Sequence, residues 1–419
     1  MVNSLKRFGS NNFPALTHKN YRYFWMGQCV SLIGTWIQNI GQSWLVYTLT
    51  DSPLLLGLVG TIQFLPITLF SLFAGVVVDR FPKKKVLILT QTISMLLAFT
   101  LSALVFTHTI RYEYILVLAL ILGFTNTLDM PTRQSFMIEV VGKEDLMNGI
   151  ALNSATFNLA RILGPAIGAL LMSGLGAAWC FLLNGLSFLA VIYGLLRIEP
   201  IPYVRKAASD KKVFSEIVDG LKYVYKTPAL FKTVLMVSVM GIFAFNYSVL
   251  LPVFTREVLH QESGTYGFLL SSMGVGSLVG ALSVSLRSKT GPKIKVLLTS
   301  AAIVAIMLIF TGMSKLQYLT ALSLAITGVF NIYFSTTANS TLQINSEDEY
   351  RGRVMSVYAL VFAGSTPIGN LFSGAIADGI GVSWAFILSG FIILVFLMIF
   401  IVLFKKKTIE NSMSTKSLG

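Results

Sequence analysis

"GLGAAWCFLLNG" (Gly174–Gly185) returns as "GIGVSWAFILSG" (Gly379–Gly390). The two stretches share Gly, Gly, Trp, Phe, Leu and Gly in register, and Trp384 lies 205 positions after Trp179. The same offset relates Gly123 to Gly328 and Asn126 to Asn331. An offset of 210 relates Gly57 to Gly267, Lys83 to Lys293, and Lys85–Val86–Leu87 to Lys295–Val296–Leu297. Apolar, glycine-rich composition alone does not produce ordered matches that include Trp and Lys. The small change of offset fits a few loop residues gained or lost. The chain therefore reads as two related halves.

Composition says what each half is made of. Of the 419 residues, 54% are hydrophobic and 12% are charged. A water-soluble chain carries about a quarter charged residues, so most of this surface faces something other than water. Apolar runs long enough to cross a bilayer recur throughout. Inside lipid the backbone must satisfy its own polar groups, so these runs are expected to be helices. The short alternating segments of a membrane β-barrel are missing.

Twelve spans are expected, at about 22–48, 54–78, 86–107, 113–138, 146–172, 178–197, 230–254, 264–286, 295–313, 317–343, 353–377 and 382–404. The expected fold class is an all-α polytopic membrane protein of two six-helix bundles. The bundles would occupy residues 1–197 and 229–419, and a polar connector residues 198–228. Within the connector, Phe214, Ile217, Leu221 and Val224 fall at helical spacing, which predicts a short amphipathic helix at the membrane surface. The first apolar run is too long for a cleaved signal peptide, so it is expected to be retained.

The net charge is +14. Arg80, Lys83, Lys84, Lys85, Lys293, Lys295, Arg351 and Arg353 fall on the side of the membrane shared by both termini, whereas Arg111, Arg256 and Lys315 fall opposite. Positive loops stay inside, so both termini are expected in the cytoplasm and the protein in the cell (cytoplasmic, inner) membrane. The basic residues are dispersed among loops and form no patch for nucleic acid. Cys29 and Cys180 lie in apolar spans and imply no disulfide, and His18, His108 and His260 are far apart in sequence. Neither a metal-ligand spacing, a phosphate loop nor a catalytic triad is evident. No enzyme activity and no cofactor are expected.

Two parallel bundles suit a transporter whose substrate sits near the midplane between halves. "GVVVDRFPKKK" (Gly75–Lys85) joins the second and third spans and resembles the signature of the major facilitator superfamily. That resemblance implies that Gly75, Asp79 and Arg80 belong to a cytoplasmic gating latch, with Asp79 near the segment that starts at Arg351 and Arg80 paired with Asp129 or Glu139. In the second half Lys289 stands where Asp79 would align, so the latch is expected in one half only. "RILGPAIGALL" (Arg161–Leu171) resembles the fifth-helix motif of exporters in this superfamily and implies a packing role for Gly164, Pro165 and Gly168. "DMPTRQSF" (Asp129–Phe136) and "DEYRGRVMSVY" (Asp348–Tyr358) resemble the bacterial branch that contains the enterobactin exporter and related drug exporters. The Arg that many proton-driven relatives carry four residues before a helix-four Gly is replaced here by Ala119, before Gly123.

Polar residues within spans are candidate site residues, because a polar or charged group in hydrocarbon needs a partner or a cavity. Gln38, Gln42, Asn126, Asn246, Tyr247 and Asn331 are expected to line the substrate cavity. Arg161, central in the fifth span, either faces that cavity and attracts an anionic or oxygen-rich substrate or ties helices together. Asp129 and Arg133 are four apart and share a helix face. They are read as part of the gate network, with Asp129 alternatively the proton carrier. The expected function is secondary export of amphipathic small molecules, drug-like compounds or a siderophore, by alternating access coupled to protons. A lipid or lysolipid flippase and a non-transporting receptor or scaffold are the alternatives. The expected partners are the bilayer, the substrate and H+, with the protein a monomer.

Overall fold

The computed structural model describes residues 13–142, 144–199, 213–286 and 291–416, apart from the side chains of 72, 75–77, 79, 213–217, 348 and 403–416. After a single 3-10 turn at Pro14–Thr17, the described residues form fourteen α-helices and no strand. The first half contains α1 (Lys19–Thr50), α2 (Pro53–Asp79), α3 (Lys83–Phe106), α4 (Tyr112–Val141), α5 (Leu146–Gly174) and α6 (Ala177–Arg197). The connector helix is α7 (Val213–Lys226). The second half contains α8 (Pro228–Phe243), α9 (Tyr247–Glu257), α10 (Ser263–Leu286), α11 (Ile294–Met313), α12 (Gln317–Ile344), α13 (Asp348–Ile380) and α14 (Val382–Lys416).

Eleven stretches of the described residues are long and apolar enough to cross a membrane, with α8 and α9 counted together as Pro228–Glu257. The twelfth span is α1. Its 32 residues would extend about 48 Å, but polar side chains lower its hydropathy. Three of them, Gln28, Ser31 and Gln38, are buried inside the bundle. The helix hides its polarity from lipid by packing on α5 and α6.

The seventh span is expected to be continuous, yet it breaks between Phe243 and Tyr247. Asn246 is the N-cap of α9, and its Nδ2 donates back to the Ile242 carbonyl at 2.6 Å. Such local side-chain bonds compete with the helix ladder. Pro252 removes a further backbone donor one turn on.

Two of the places where the halves meet are made equivalent by the repeat. Helix α2 crosses α13, and α5 crosses α10. These are spans two and eleven, and spans five and eight. Shifting each by six spans turns one pair into the other. One matched pair of glycines, Gly57 and Gly267, sits at these crossings. A Cβ on Gly57 would overlap the Asn370 carbonyl of α13, and one on Gly267 would overlap Ala169 of α5. Small residues let the helix backbones approach. One apolar core runs through both halves, from Ile37 and Phe181 to Phe254 and Phe386.

The connector helix docks on the second half. Val224 is buried with Leu230, Leu342, Val354 and Val357, and Tyr223 stacks on Tyr350 at 4.3 Å. Of the residues expected on its apolar face, Leu221 is exposed, and Phe214 and Ile217 lie outside the described side chains. Connector residues 200–212 lie outside the described residues as well.

Candidate functional site

Between the halves lies a cavity of about 390 Å³. That is within the usual range for a drug-sized ligand. Its amide wall is formed by Asn39 and Gln42 of α1, Gln63 of α2, Asn331 of α12 and Asn370 of α13. Its aromatic wall is formed by Trp36, Phe64, Phe157, Phe245, Tyr266 and Phe362. Among the described residues, Arg161 of α5 is the one charged side chain of the lining, and Tyr247 enters from the break between α8 and α9. Positions 35, 38, 39 and 42 share one broad face of α1 because residues three and four apart recur on the same side.

The cavity is closed at the end that carries the α1–α2 turn, by contacts that cross the halves. Tyr47 Oη donates to Glu257 Oε1 at 2.5 Å. Arg256 Nη1 pairs with Asp51 Oδ1 at 3.3 Å. Asp378 Oδ1 accepts from Ser52 Oγ at 2.7 Å and from the Leu54 amide at 3.4 Å. Asp378 thus caps the start of α2 from the other half, where a helix N-terminus favours a carboxylate. Deeper in, Thr61 Oγ1 donates to the Pro367 carbonyl at 3.0 Å and Thr68 Oγ1 to the Ala363 carbonyl at 3.3 Å. On the other crossing, Ser271 Oγ donates to the Ile162 carbonyl at 3.2 Å, and Arg161 Nη2 donates to Ser277 Oγ.

The structure divides the expected cavity residues. Gln42, Arg161, Tyr247 and Asn331 lie on the wall, and Asn331 Nδ2 donates to Tyr247 Oη at 3.4 Å. Gln38 is buried off the wall, where its Oε1 accepts from Asn184 Nδ2 at 2.7 Å and ties α1 to α6. Asn126 is half-buried and off the wall. Asn246 holds the helix break against Gly369. Gln63, which hydrogen-bonds Gln42 at 3.4 Å, and Asn370 are wall residues that sequence reasoning missed. A lone amide within an apolar run was the available signal at both.

The fifth-helix motif packs on both sides. Gly164 presses on Trp36 and Ile33 of α1, Gly168 lies against Ile37, and the Pro165 carbonyl faces Gly267 of α10. Of the expected latch, Gly75 and Asp79 lie outside the described side chains. Arg80 was expected to pair with Asp129 or Glu139, but each acid is held elsewhere. Glu139 pairs with Lys83 at 2.6 Å. Asp129 is buried, and its Oδ1 accepts from Thr90 Oγ1 at 2.6 Å and Gln91 Nε2 at 2.8 Å. Its Oδ2 accepts from Arg133 Nε at 3.1 Å and from Arg133 Nη2. Arg80 instead sits exposed at the turn after α2.

At the same end, Lys84 Nζ donates to the Ile198 carbonyl at 2.8 Å, so two of the three signature lysines anchor within the first half. Lys19 and Glu199 pair at 2.8 Å on the surface, and the hydrogen bond from Lys19 holds the Glu199 carboxyl below its ordinary range.

Three comparisons bear on this arrangement. The family described as transmembrane secretion effector matches residues 10–418. The staphyloferrin A transporter of Staphylococcus aureus is 25% identical over 400 residues, 95% of this chain and 100% of that protein. The multidrug efflux pump Tap of Mycolicibacterium fortuitum is 26% identical over 368 residues, 84% of this chain and 88% of that protein. Among solved structures, the nucleoside transporter NupG superposes with a TM-score of 0.73 at 14% identity, covering 91% of this chain and 98% of that one. The last shows a shared fold alone.

Proposed function

We propose that this chain, which belongs to the transmembrane secretion effector family of the major facilitator superfamily, exports drug-like amphipathic compounds or a siderophore by alternating access. It is a multi-pass membrane transporter and not an enzyme. The observation that carries the reading is the cavity between two related halves, closed at one end by contacts that all bridge those halves. Rocking the halves would break these contacts together and open that end. The name of the relative described as a multidrug efflux pump supports the outward direction.

Both termini are assigned to the cytoplasm on the charge asymmetry, which makes the closed end the outer one. Closing the inner end falls to Asp79, Arg80 and the start of α13. Uphill export needs an energy source, and without a nucleotide-binding loop in the sequence an ion gradient, here of protons, supplies it.

The test is accumulation of labelled erythromycin, ethidium and a siderophore in efflux-deficient cells. Expression should lower accumulation of at least one compound severalfold, and a protonophore should restore it. Asp79→Asn should slow this export, and a cysteine at Lys293 should label only from the cytoplasm. Unchanged accumulation of all three, with normally inserted protein, rejects export by this chain.

A further inference from the structure

Among the described residues, Arg161 has no acid beside it on the cavity wall. The wall residues are otherwise neutral, with amide and hydroxyl groups interleaved among aromatic rings. The acids that bridge the closed end are engaged already: Glu257 accepts from Tyr47, Asp51 pairs with Arg256, and Asp378 accepts from Ser52 and the Leu54 amide. Arg161 spends one nitrogen on Ser277, a neutral partner that cannot balance its charge. Its Nε is buried with no hydrogen-bond partner among the described residues. An uncompensated guanidinium inside a membrane protein is costly and calls for a counter-charge.

The surroundings describe that counter-charge. A guanidinium offers a planar fork of donors that suits a carboxylate better than any neutral group. Phe157 lies four residues before Arg161, on the same face of α5, and meets Trp36 edge to face at 5.9 Å. From the second half, Tyr247 already accepts from Asn331, which leaves its own hydroxyl proton to donate. Charge, aromatic surface and a second donor therefore converge on one region of the cavity.

Resting on the export reading above, we infer that the cavity selects amphipathic organic anions, with a carboxylate on Arg161 and an apolar or aromatic body against Trp36 and Phe157. A cationic compound of the same shape meets a like charge with no acid to offset it.

The test compares three probes on the full chain in lipid nanodiscs, with empty nanodiscs subtracted: dansyl-norleucine, its carboxamide, and cationic dansylcadaverine. The carboxylate should bind at least about tenfold more tightly than the carboxamide, and the cation more weakly than both. Arg161→Gln should erase the gap, and Arg161→Lys should retain part of it. Equal affinities in the unaltered protein, a gap that persists in Arg161→Gln, or no binding of any probe overturns the inference. Efflux of the neutral carboxamide from proteoliposomes scores export separately. Efflux without charge preference sinks the anion assignment alone. Charge preference without efflux of any probe sustains that assignment and sinks the export reading.

Discussion

Gly57→Leu is expected to reduce export to the level of cells lacking the protein, while the chain still inserts. A Cβ at this position overlaps the Asn370 carbonyl, and the Gly374 Cα lies only 3.3 Å from it. Both obstacles are backbone, so neither can rotate away. The strain is relieved by separating α2 from α13, which opens the end that the structure shows closed. Overpacking costs about 1–3 kcal/mol, which shifts a two-state equilibrium from roughly fivefold to more than a hundredfold. Gly57→Ala should show the same effect more weakly. Gly267→Leu should act alike at the equivalent α5–α10 crossing. The check is export together with thiol labelling of a cysteine placed at Ser43 on the cavity wall. Labelling from the α1–α2 end should rise as export falls. Full export by Gly57→Leu would show that this crossing need not close.

Asp129→Asn is the second large effect. Each carboxylate oxygen already receives two hydrogen bonds, from Thr90 and Gln91 of α3 and from Arg133 of α4. A proton carried here has to displace a donor. We therefore assign Asp129 to holding α3 against α4. Removing its charge leaves Arg133, whose side chain is a quarter exposed, without its partner. Breaking a fully buried pair costs about 3–5 kcal/mol, and this one should cost less. Uphill export and downhill exchange should fall together in proteoliposomes, and thermal stability should drop. Asp129→Asn combined with Arg133→Gln should recover part of the stability, because no orphaned charge remains. Loss of pH-driven export with downhill exchange intact would instead make Asp129 the proton carrier.

What was legible in the sequence follows from how strongly a bilayer constrains a chain. The apolar runs announced their spans because lipid allows few alternatives to a helix. The matched residues announced two related halves, but which helices cross between them, at Gly57 and Gly267, was left to the structure. The break at Asn246 was hidden, because "MGIFAFNYSVLLPVF" (Met240–Phe254) is apolar on both sides of it. Only Asn246 and Pro252 hinted at it. The polar stripe on α1 was visible, but its division was not. Neighbouring residues point about 100° apart around a helix, so Asn39 reaches the cavity and Gln38 reaches Asn184. The Asp129–Arg133 pair could be read from its spacing. Thr90 and Gln91 could not, because they come from another helix. Arg161 looked equally suited to a cavity and to a helix tie, and its geometry serves both.

Alternation of the cavity between the two faces is tested most directly by locking the closed end. Ser52→Cys and Asp378→Cys, in a chain with Cys29 and Cys180 replaced, put two thiols where a 2.7 Å hydrogen bond now joins the halves. Bridging them with a disulfide or a short bis-thiol reagent should stop export, and reduction should restore it. Export that continues undiminished through a fully bridged population would contradict alternating access in this protein.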